Sequence, residues 1–435
     1  MNNTLASASD IVPVVSVTGT KGKTTTVAVI ADVLRKFGKN VLKVDTTGHF
    51  VNNERHSSLG DSKQSWRLVP SVCPGRYLWE FHDHPELREG GVAVLECSLG
   101  CSAMPGLGYR YHNIGVFLNV FEDHIGSSDR IQSQADIAKA KDFAFSRIDP
   151  DNGYAVFNAD DEYVCGTLTA LTERLQTPER MIPCGFTFEH FDIDAHLMAG
   201  GVAVTVHDNK VVLRTNQEDR MLIDLTKIPW TFNGTFLPSV WNIISAVGAV
   251  YAYYGGELPE NTKEVFESVR LDHYGGRLTL LENKLGVKIL ADYAHEKVSL
   301  SMVADLARTM IKPGGNLIGV VRLAHDRSDE LMCETGKIVG EAYDQLVVYE
   351  KIDGYWRQPT KTGMRFPQII GRTSQVFADG IKVTNKNVER ILREDEALVR
   401  AAEIAQPEDV VVVIVNDNIG RSIDFIKEKF NANFI

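Results

Sequence analysis

An apolar run, "IVPVVS", passes directly into "VTGTKGKTTT", Val17–Thr26, and that loop into the helical stretch "TTTVAVIADVLRKFG", which Gly38 stops. Few arrangements accommodate such a succession. A buried strand, a loop with two glycines and a helix starting at Lys23-Thr24 bring several unpaired N–H groups and a helix N-terminus to one point, where an anion is stabilised. Lys23 can reach the β- and γ-phosphates of a nucleotide, and the Thr24 hydroxyl can ligate magnesium. The common pattern G-x4-GK-[ST] would put glycine at Val17, so this is a variant loop. A partition-type ATPase would carry a lysine where Thr18 stands, which argues against that class.

The stretches that follow keep the alternation. "NVLKVDTT", "GVAVLECS", "NIGVFLNV" and "YAVFNADD" read as strands, with a helix expected from Ile131 to Ile148 before the last. Their hydrophobicity is continuous rather than alternating, which suggests strands covered on both faces, as in a parallel α/β sheet. From Met181 to about Thr226 the pattern turns to short β segments, "GGVAVTVHDNKVVL" being the clearest, and the helix "SVWNIISAVGAVYAYYGG" closes the region. A hairpin-like pair, "RLTLLENKLGVKILADYAH", then opens a second βα series with "NLIGVVRLA", "YDQLVVYEK" and "DVVVVIVND". A chain of 435 residues exceeds what one hydrophobic core supports. We place the boundary near Tyr274, giving domains 1–273 and 274–435.

Several classes are excluded. A net charge of −11 argues against a nucleic-acid binder, which would show a basic domain or stripe. The opening "MNNTLASASD" lacks the basic and apolar regions of a signal peptide, and no apolar stretch reaches the roughly 18 residues of a membrane span. Cys97 and Cys101 have no second pair nearby, so a zinc site is not expected, and reduced thiols in a cytoplasm are the simpler reading.

Three residues downstream of the loop stand out. Glu96 ends the strand "VAVLE", at the sheet edge where ligands collect, although a lone glutamate there is ordinarily just solvated. His124 follows another strand in "LNVFEDHIG". Lys141 shares one helical face with Ile137, Ala144, Phe145 and Ile148, and a lysine inside an apolar stripe needs a reason, because burying an unpaired ammonium is costly. Snorkelling is the alternative for Lys141, and Lys139 falls on a polar face.

As a set, "GTKGKTTT", "LEC", "LNVFEDHIG", Lys141, "NADD", Asn242, "GGRL" and "DYAH" resemble the Mur ligase superfamily of ATP-dependent amide-bond ligases. Within it, "TTGHFVNN…LGD" and "HDRSDE" look most like the Mur-like domain of cyanophycin synthetases. The resemblance implies a P-loop central domain, a parallel sheet with a small β subregion, followed by a Rossmann-like C-terminal α/β domain. It implies that Gly19, Thr20, Lys21, Gly22, Lys23, Thr24 and Thr25 hold the triphosphate of ATP, with Lys23 on the transferred phosphoryl group. Thr24 and Glu96 would hold one Mg2+, and His124 with Lys141, as amine or carbamate, a second. Asn242 would face the adenine, and Arg277 and Asp292 phosphate and ribose. His295, Asp326 and Arg327 fall in the stretches implied to meet substrate, Arg327 (with Arg322 near it) as a clamp for an amino acid's carboxylate. Departures are Ser239 for the family's asparagine three before Asn242, and Lys297 in the place of the proline after "DYAHN".

The activity so implied is ADP-forming ligation of a carboxylate to an amine or amino acid through an acyl phosphate, in the cytoplasm. Its relatives carry a further domain before the loop, whereas sixteen residues precede Val17 here. The insert from Thr46 to Pro74 is the internal candidate for the acid site, with Thr46, Thr47 and the Gly60-Asp61 pair lining it. The expected acid is a peptide, polymer or side-chain carboxylate, presented by itself, by a second copy or by a partner ligase, with no nucleic acid or membrane involved. The alternative is an ATP-binding regulatory subunit that gates another ligase.

Overall fold

The computed structural model describes residues 12–56, 70–81, 84–88, 90–102, 106–123, 125–126, 129–175, 177–325, 327–351, 369–384 and 386–435. Gly60, Asp61, His124 and Asp326 lie outside these. The chain forms two compact units, one of residues 1–121 with 134–271 and one of residues 122–133 with 272–435.

The first unit is built on one sheet. Its strands are β1 (Val14–Thr18), β2 (Asn40–Asp45), β3 (Gly48–Val51), β4 (Glu54–Arg55), β5 (Gly91–Glu96), β6 (Ile114–Phe117), β7 (Tyr154–Asn158), β8 (Met181–Cys184), β9 (Ala203–His207), β10 (Lys210–Arg214) and β11 (Asp219–Asp224). They lie in the order β11-β10-β9-β8-β7-β6-β1-β5-β2-β3-β4. From β2 to β9 through β1 all neighbours are parallel, and the two ends turn antiparallel. The small β subregion therefore extends the main sheet. Its β9–β10 hairpin turns on Asp208 and Asn209, both at positive φ, the pair that a primed two-residue turn requires.

The strands feed two cores by simple alternation. Val15 and Val17 of β1, with Val92 and Val94 of β5, join Val27, Ile30, Val33 and Leu34 of the helix Lys23–Lys36 and Val240, Ile243 and Val247 of the helix Leu237–Tyr253. Val14, Ala93 and Leu95 point the other way, onto Tyr77, Leu78, Phe81 and Leu87. Each such side chain, once fully buried, contributes roughly 1.5–3 kcal/mol before the entropy of ordering it. This two-sided cover is what continuous apolar strands call for.

One expected helix is broken. In place of a single span from Ile131 to Ile148 there are two, Gln134–Lys141 and Phe143–Ser146. The Asp142 N–H reaches back to Lys139 O at 3.4 Å, and Ile148 pairs in a parallel bridge with His112, which draws the end of the stretch into extended backbone. The face survives the break, since Ile137, Lys141, Ala144, Phe145 and Ile148 are all buried.

The second unit holds β12 (Thr279–Asn283), β13 (Lys288–Asp292), β14 (Leu317–Val321), β15 (Gln345–Val348), β16 (Val388–Arg390), β17 (Val410–Ile414) and β18 (Ala432–Phe434), ordered β16-β15-β14-β17-β13-β12-β18. Strands β13 to β17 are parallel, and β12 runs antiparallel to β13 and β18. Among the described residues no helix is long and apolar enough to cross a membrane.

Candidate active site

β1 is flanked by β5 on one side and β6 on the other, so the winding of the first sheet changes direction at its carboxyl end, where such sheets bind ligands. The loop Gly19–Gly22 leaves that edge. Gly19 sits at φ +147° and Gly22 at +83°, and Gly22 caps the helix Lys23–Lys36 in the left-handed conformation. A Cβ on Gly22 would lie 2.3 Å from Asn242 Oδ1, so backbone strain and lack of space both demand glycine there.

What fixes the loop is Asn119. Its side-chain oxygen accepts from the N–H groups of Thr20 (3.1 Å) and Lys21 (2.8 Å), and its amide donates to Lys21 O (3.2 Å). Thr20 Oγ1 accepts from Phe121 N (3.0 Å), and Lys23 Nζ donates to Thr20 O (2.8 Å). Sequence reasoning passed over Asn119. The available signal was a polar residue directly beyond an apolar strand, inside the stretch "LNVFEDHIG".

Thr24 and Glu96 are brought together. Thr24 Oγ1 donates to Glu96 Oε2 at 2.9 Å, although 72 residues separate them. Thr46 joins the pair, its N–H donating to Oε2 (3.1 Å) and its hydroxyl to Oε1 (2.8 Å). Glu96 is only 2% exposed, and its hydrogen bonds come from the Thr24 and Thr46 hydroxyls and the Thr46 N–H. A buried carboxylate held by hydroxyls and an amide offers hard oxygen donors. Thr25 is buried in the first helical turn, and Thr26 donates to Asn242 Oδ1 at 3.1 Å. Lys141, 3% exposed, places its ammonium 3.4 Å from the buried Thr18 hydroxyl. Thr47 has a local partner, its N–H and hydroxyl both donating to Asp45 Oδ1 (2.8 and 2.5 Å).

"NADD" is structural cement. Asp160 accepts N–H groups from Phe186, Thr187 and Phe188, while Asp161 caps the helix Glu162–Cys165 and accepts from Val120 N (2.8 Å). Burial raises the Asp161 pKa against the pull of those N–H groups.

In the second unit, Asp292 accepts from Leu278 N (3.0 Å), and the Arg277 guanidinium stacks 4.8 Å from the Tyr293 ring centre. Arg327, 2% exposed, donates to Asp123 Oδ1 at 2.6 Å, and His295 Nε2 lies 3.5 Å from the other oxygen of that carboxylate. The two arginines that the sequence grouped have different partners, since Arg322 binds the Val415 carbonyl. "DYAHEK" works without the proline, because Glu296 caps the helix Lys297–Arg308 through Val298 N and Ser299 N, both at 2.7 Å. Lys297 then pairs with Glu122 (2.5 Å) and Glu334 (3.1 Å).

Against known proteins, residues 17–177 match the Mur ligase middle domain and residues 276–414 the Mur ligase glutamate ligase domain. The chain belongs to the Mur ligase family. Among curated Mur-type relatives, cyanophycin synthetase of Nostoc sp. strain PCC 7120 is 29% identical over 425 residues, which take in 96% of this chain and 42% of that one. UDP-N-acetylmuramoyl-L-alanyl-D-glutamate–2,6-diaminopimelate ligase 2 of Clostridium acetobutylicum is 22% identical over 404 residues, 92% of this chain and 72% of its own. The chain thus spans less than half the length of the cyanophycin synthetases it matches. In fold, the Mur ligase chain is similar to E. coli FolC in complex with DHPP and ADP, with a TM-score of 0.64 at 14% identity over 97% of this chain and 91% of that one. It is also similar to MurF from Acinetobacter baumannii, with a TM-score of 0.60 at 16% identity over 97% and 77%.

Proposed function

We propose that this chain is an ADP-forming ligase that uses ATP to join a carboxylate to an amine or amino acid. One observation carries the reading: at the strand switch of the first unit, a left-handed glycine, a helix N-terminus, Lys23 and the Thr24–Glu96 pair converge on one loop. The FolC structure with ADP and the match to both Mur ligase domains support ATP as the nucleotide.

A carboxylate does not condense with an ammonium at neutral pH, because its carbon is a poor electrophile. In the proposed reaction a carboxylate oxygen attacks the γ-phosphorus and ADP leaves. The amine nitrogen then attacks the acyl carbon, phosphate departs, and the nitrogen loses a proton. The N–H groups at the helix N-terminus beyond Gly22, together with Lys23, hold and neutralise the phosphates, with Asn119 fixing the loop through Thr20 N and Lys21 N, so positioning and charge supply most of the acceleration. The Thr24 hydroxyl and Glu96 carboxylate suit Mg2+, which when bound neutralises phosphate charge. Thr46 holds both oxygens of Glu96 in place for it. Lys141, with His124, is the proposed second metal position, the lysine serving as a carbamate.

The acid is proposed to be a peptide, polymer or side-chain carboxylate rather than a sugar nucleotide, in keeping with the cyanophycin synthetases among the relatives. Cytoplasmic action is part of the proposal, and six free cysteines suit it. The test is phosphate release from ATP across a panel of amino acids and acidic peptides. Release that depends on both an acid and an amine is the expected result, and ATP hydrolysis indifferent to every amine would refute the ligase.

A further inference from the structure

The edge of the first sheet opposite the glycine loop carries a group of arginines. β6, β7 and β8 continue the parallel run from β1, so the stretches that lead into them, 110–113, 147–153 and 174–180, lie at the amino end of the sheet. Arg110, Arg147, Arg174 and Arg180 come from these stretches.

Tyr111 stands among them. The guanidinium carbons of Arg110 and Arg174 each lie 4.8 Å from its ring centre. Arg174 also hydrogen-bonds the phenol, and that bond, with Arg110 adding to it, lowers the Tyr111 pKa. Arg174 Nη2 donates to Ile148 O at 3.1 Å, and its Nε is buried without a partner. Arg180 Nη1 donates to Pro150 O and Asp151 O, at 3.2 and 2.9 Å, and its Nε to Thr177 Oγ1 at 2.8 Å. The fully buried His112 is held at about 4 by its burial, with the charges of Arg147 and Arg174 adding, so at neutral pH it brings no charge of its own.

Every acceptor in this group is neutral: carbonyls, a hydroxyl and a phenol. They fix the guanidiniums without answering their charge. Among the described residues none of the four arginines forms an ion pair with a carboxylate. Asp149, inside the turn, accepts the N–H groups of Asp151 and Asn152 on its Oδ1. Asp151, Glu173 and Glu179 are exposed nearby, so positive and negative groups alternate across the surface. Such a surface suits the separate carboxylates of a peptide. A continuous phosphate backbone would meet those acids and a net charge of −11.

We propose that Arg110, Arg147, Arg174 and Arg180, with Tyr111, form a docking surface for an acidic peptide segment. A guanidinium meets a carboxylate in a planar fork, and arginine beside tyrosine is the composition of protein recognition surfaces. Its use rests on the ligase reading: the segment is the body of a polymeric acid whose reactive carboxylate lies at the loop edge. β6 is four residues long, roughly 13 Å, so only an acid several residues long reaches from one edge to the other. Short acids make no use of the surface.

The test titrates the full chain with labelled octaglutamate at fixed ionic strength, in wild type, in Arg110→Gln with Arg147→Gln, and in Arg110→Glu with Arg147→Glu. Both side chains are exposed, so packing is little disturbed, and unfolding midpoints check that. If a double variant does not fold, the single Gln variants carry the comparison. We expect saturable binding to the wild type that weakens with added salt, about fivefold weaker in the Gln pair and weaker still in the Glu pair. Glutarate, inorganic phosphate and ADP should not distinguish the three forms. Octaglutamate bound equally by wild type and the Glu pair, or bound without saturation, overturns the surface. So does an oligothymidylate or inorganic phosphate that loses affinity in the same variants, since the patch would then serve nucleic acid or any anion. The ligase reading fails by a different result, a wild type that forms no ADP with any amine, whatever octaglutamate does.

Discussion

The two units place charge at their strand ends in opposite ways. In the first, Glu96 is held by Thr24 and Thr46, and the Thr20 and Lys21 N–H groups by Asn119, all uncharged partners. In the second, most charges are answered inside the unit: Arg327 by Asp123, Lys351 by Asp417, Lys297 by Glu122 and Glu334. Neutral hydrogen bonds fix geometry without cancelling a field, whereas ion pairs cancel it. On the proposed reading the first unit receives a polyphosphate and a cation, while the second holds its own shape through internal ion pairs.

The sharpest way to break that contrast is Lys23→Ala. Removing the Lys23 ammonium should lower acid- and amine-dependent phosphate release by about 100-fold or more, roughly 3 kcal/mol, with the unfolding midpoint unchanged. Near-normal turnover would mean that the loop does not handle the transferred phosphate.

The ion-paired unit should instead show its chemistry in acid stability. Asp417 sits at about 2 against the ordinary 3.8, so its contribution is complete above the ordinary value and disappears as the pH falls through 2. That amounts to about 2 kcal/mol. Denaturant unfolding between pH 5 and 2 should lose this increment in the wild type and show a flatter acid limb in Asp417→Asn. Identical limbs would remove the pairing from the comparison.

Thr46→Val tests whether neutral partners do position Glu96. Loss of one hydroxyl from a carboxylate costs about 1.5 kcal/mol, so we expect roughly tenfold slower turnover and a raised magnesium requirement, with the KM for the acid little changed. A selective rise in that KM would return Thr46 to the acid site proposed from sequence. The smallest effect is expected of Thr47→Val. Its hydroxyl serves Asp45, so stability should fall by about 1 kcal/mol and turnover should stay within about twofold.

How much of this was legible depends on sequence separation. The strand, loop and helix around Lys23 are contiguous, and their residue types specify them directly. The apolar face through Lys141 was equally readable, but the break at Asp142 was not, because periodicity records which side faces in and not whether the axis continues. Asn119 reaches the loop across 98 and 99 residues, and Arg322 reaches Val415 across 93. No local pattern announces such partners. Thr46 reads in the sequence as a substrate contact because it leaves a strand at the ligand edge, and its bonds to Glu96 could be seen only in the structure.

The last strand of the chain has a consequence for synthesis. β18 pairs antiparallel with β12, the first strand of its sheet, and Phe434 stacks on His273 with ring centres 4.6 Å apart. A ribosome releases β12 more than 140 residues before its edge partner. Until Phe434 emerges, one flank of β12 is an unpaired strand edge of the kind that recruits other chains. The first unit, whose P-loop strand and both of its neighbours lie within residues 14–117, can form its central strands long before that. Vectorial folding of this protein should therefore pause with a finished nucleotide-loop sheet ahead of a half-zipped second one, and it is during that interval that a chaperone would matter most.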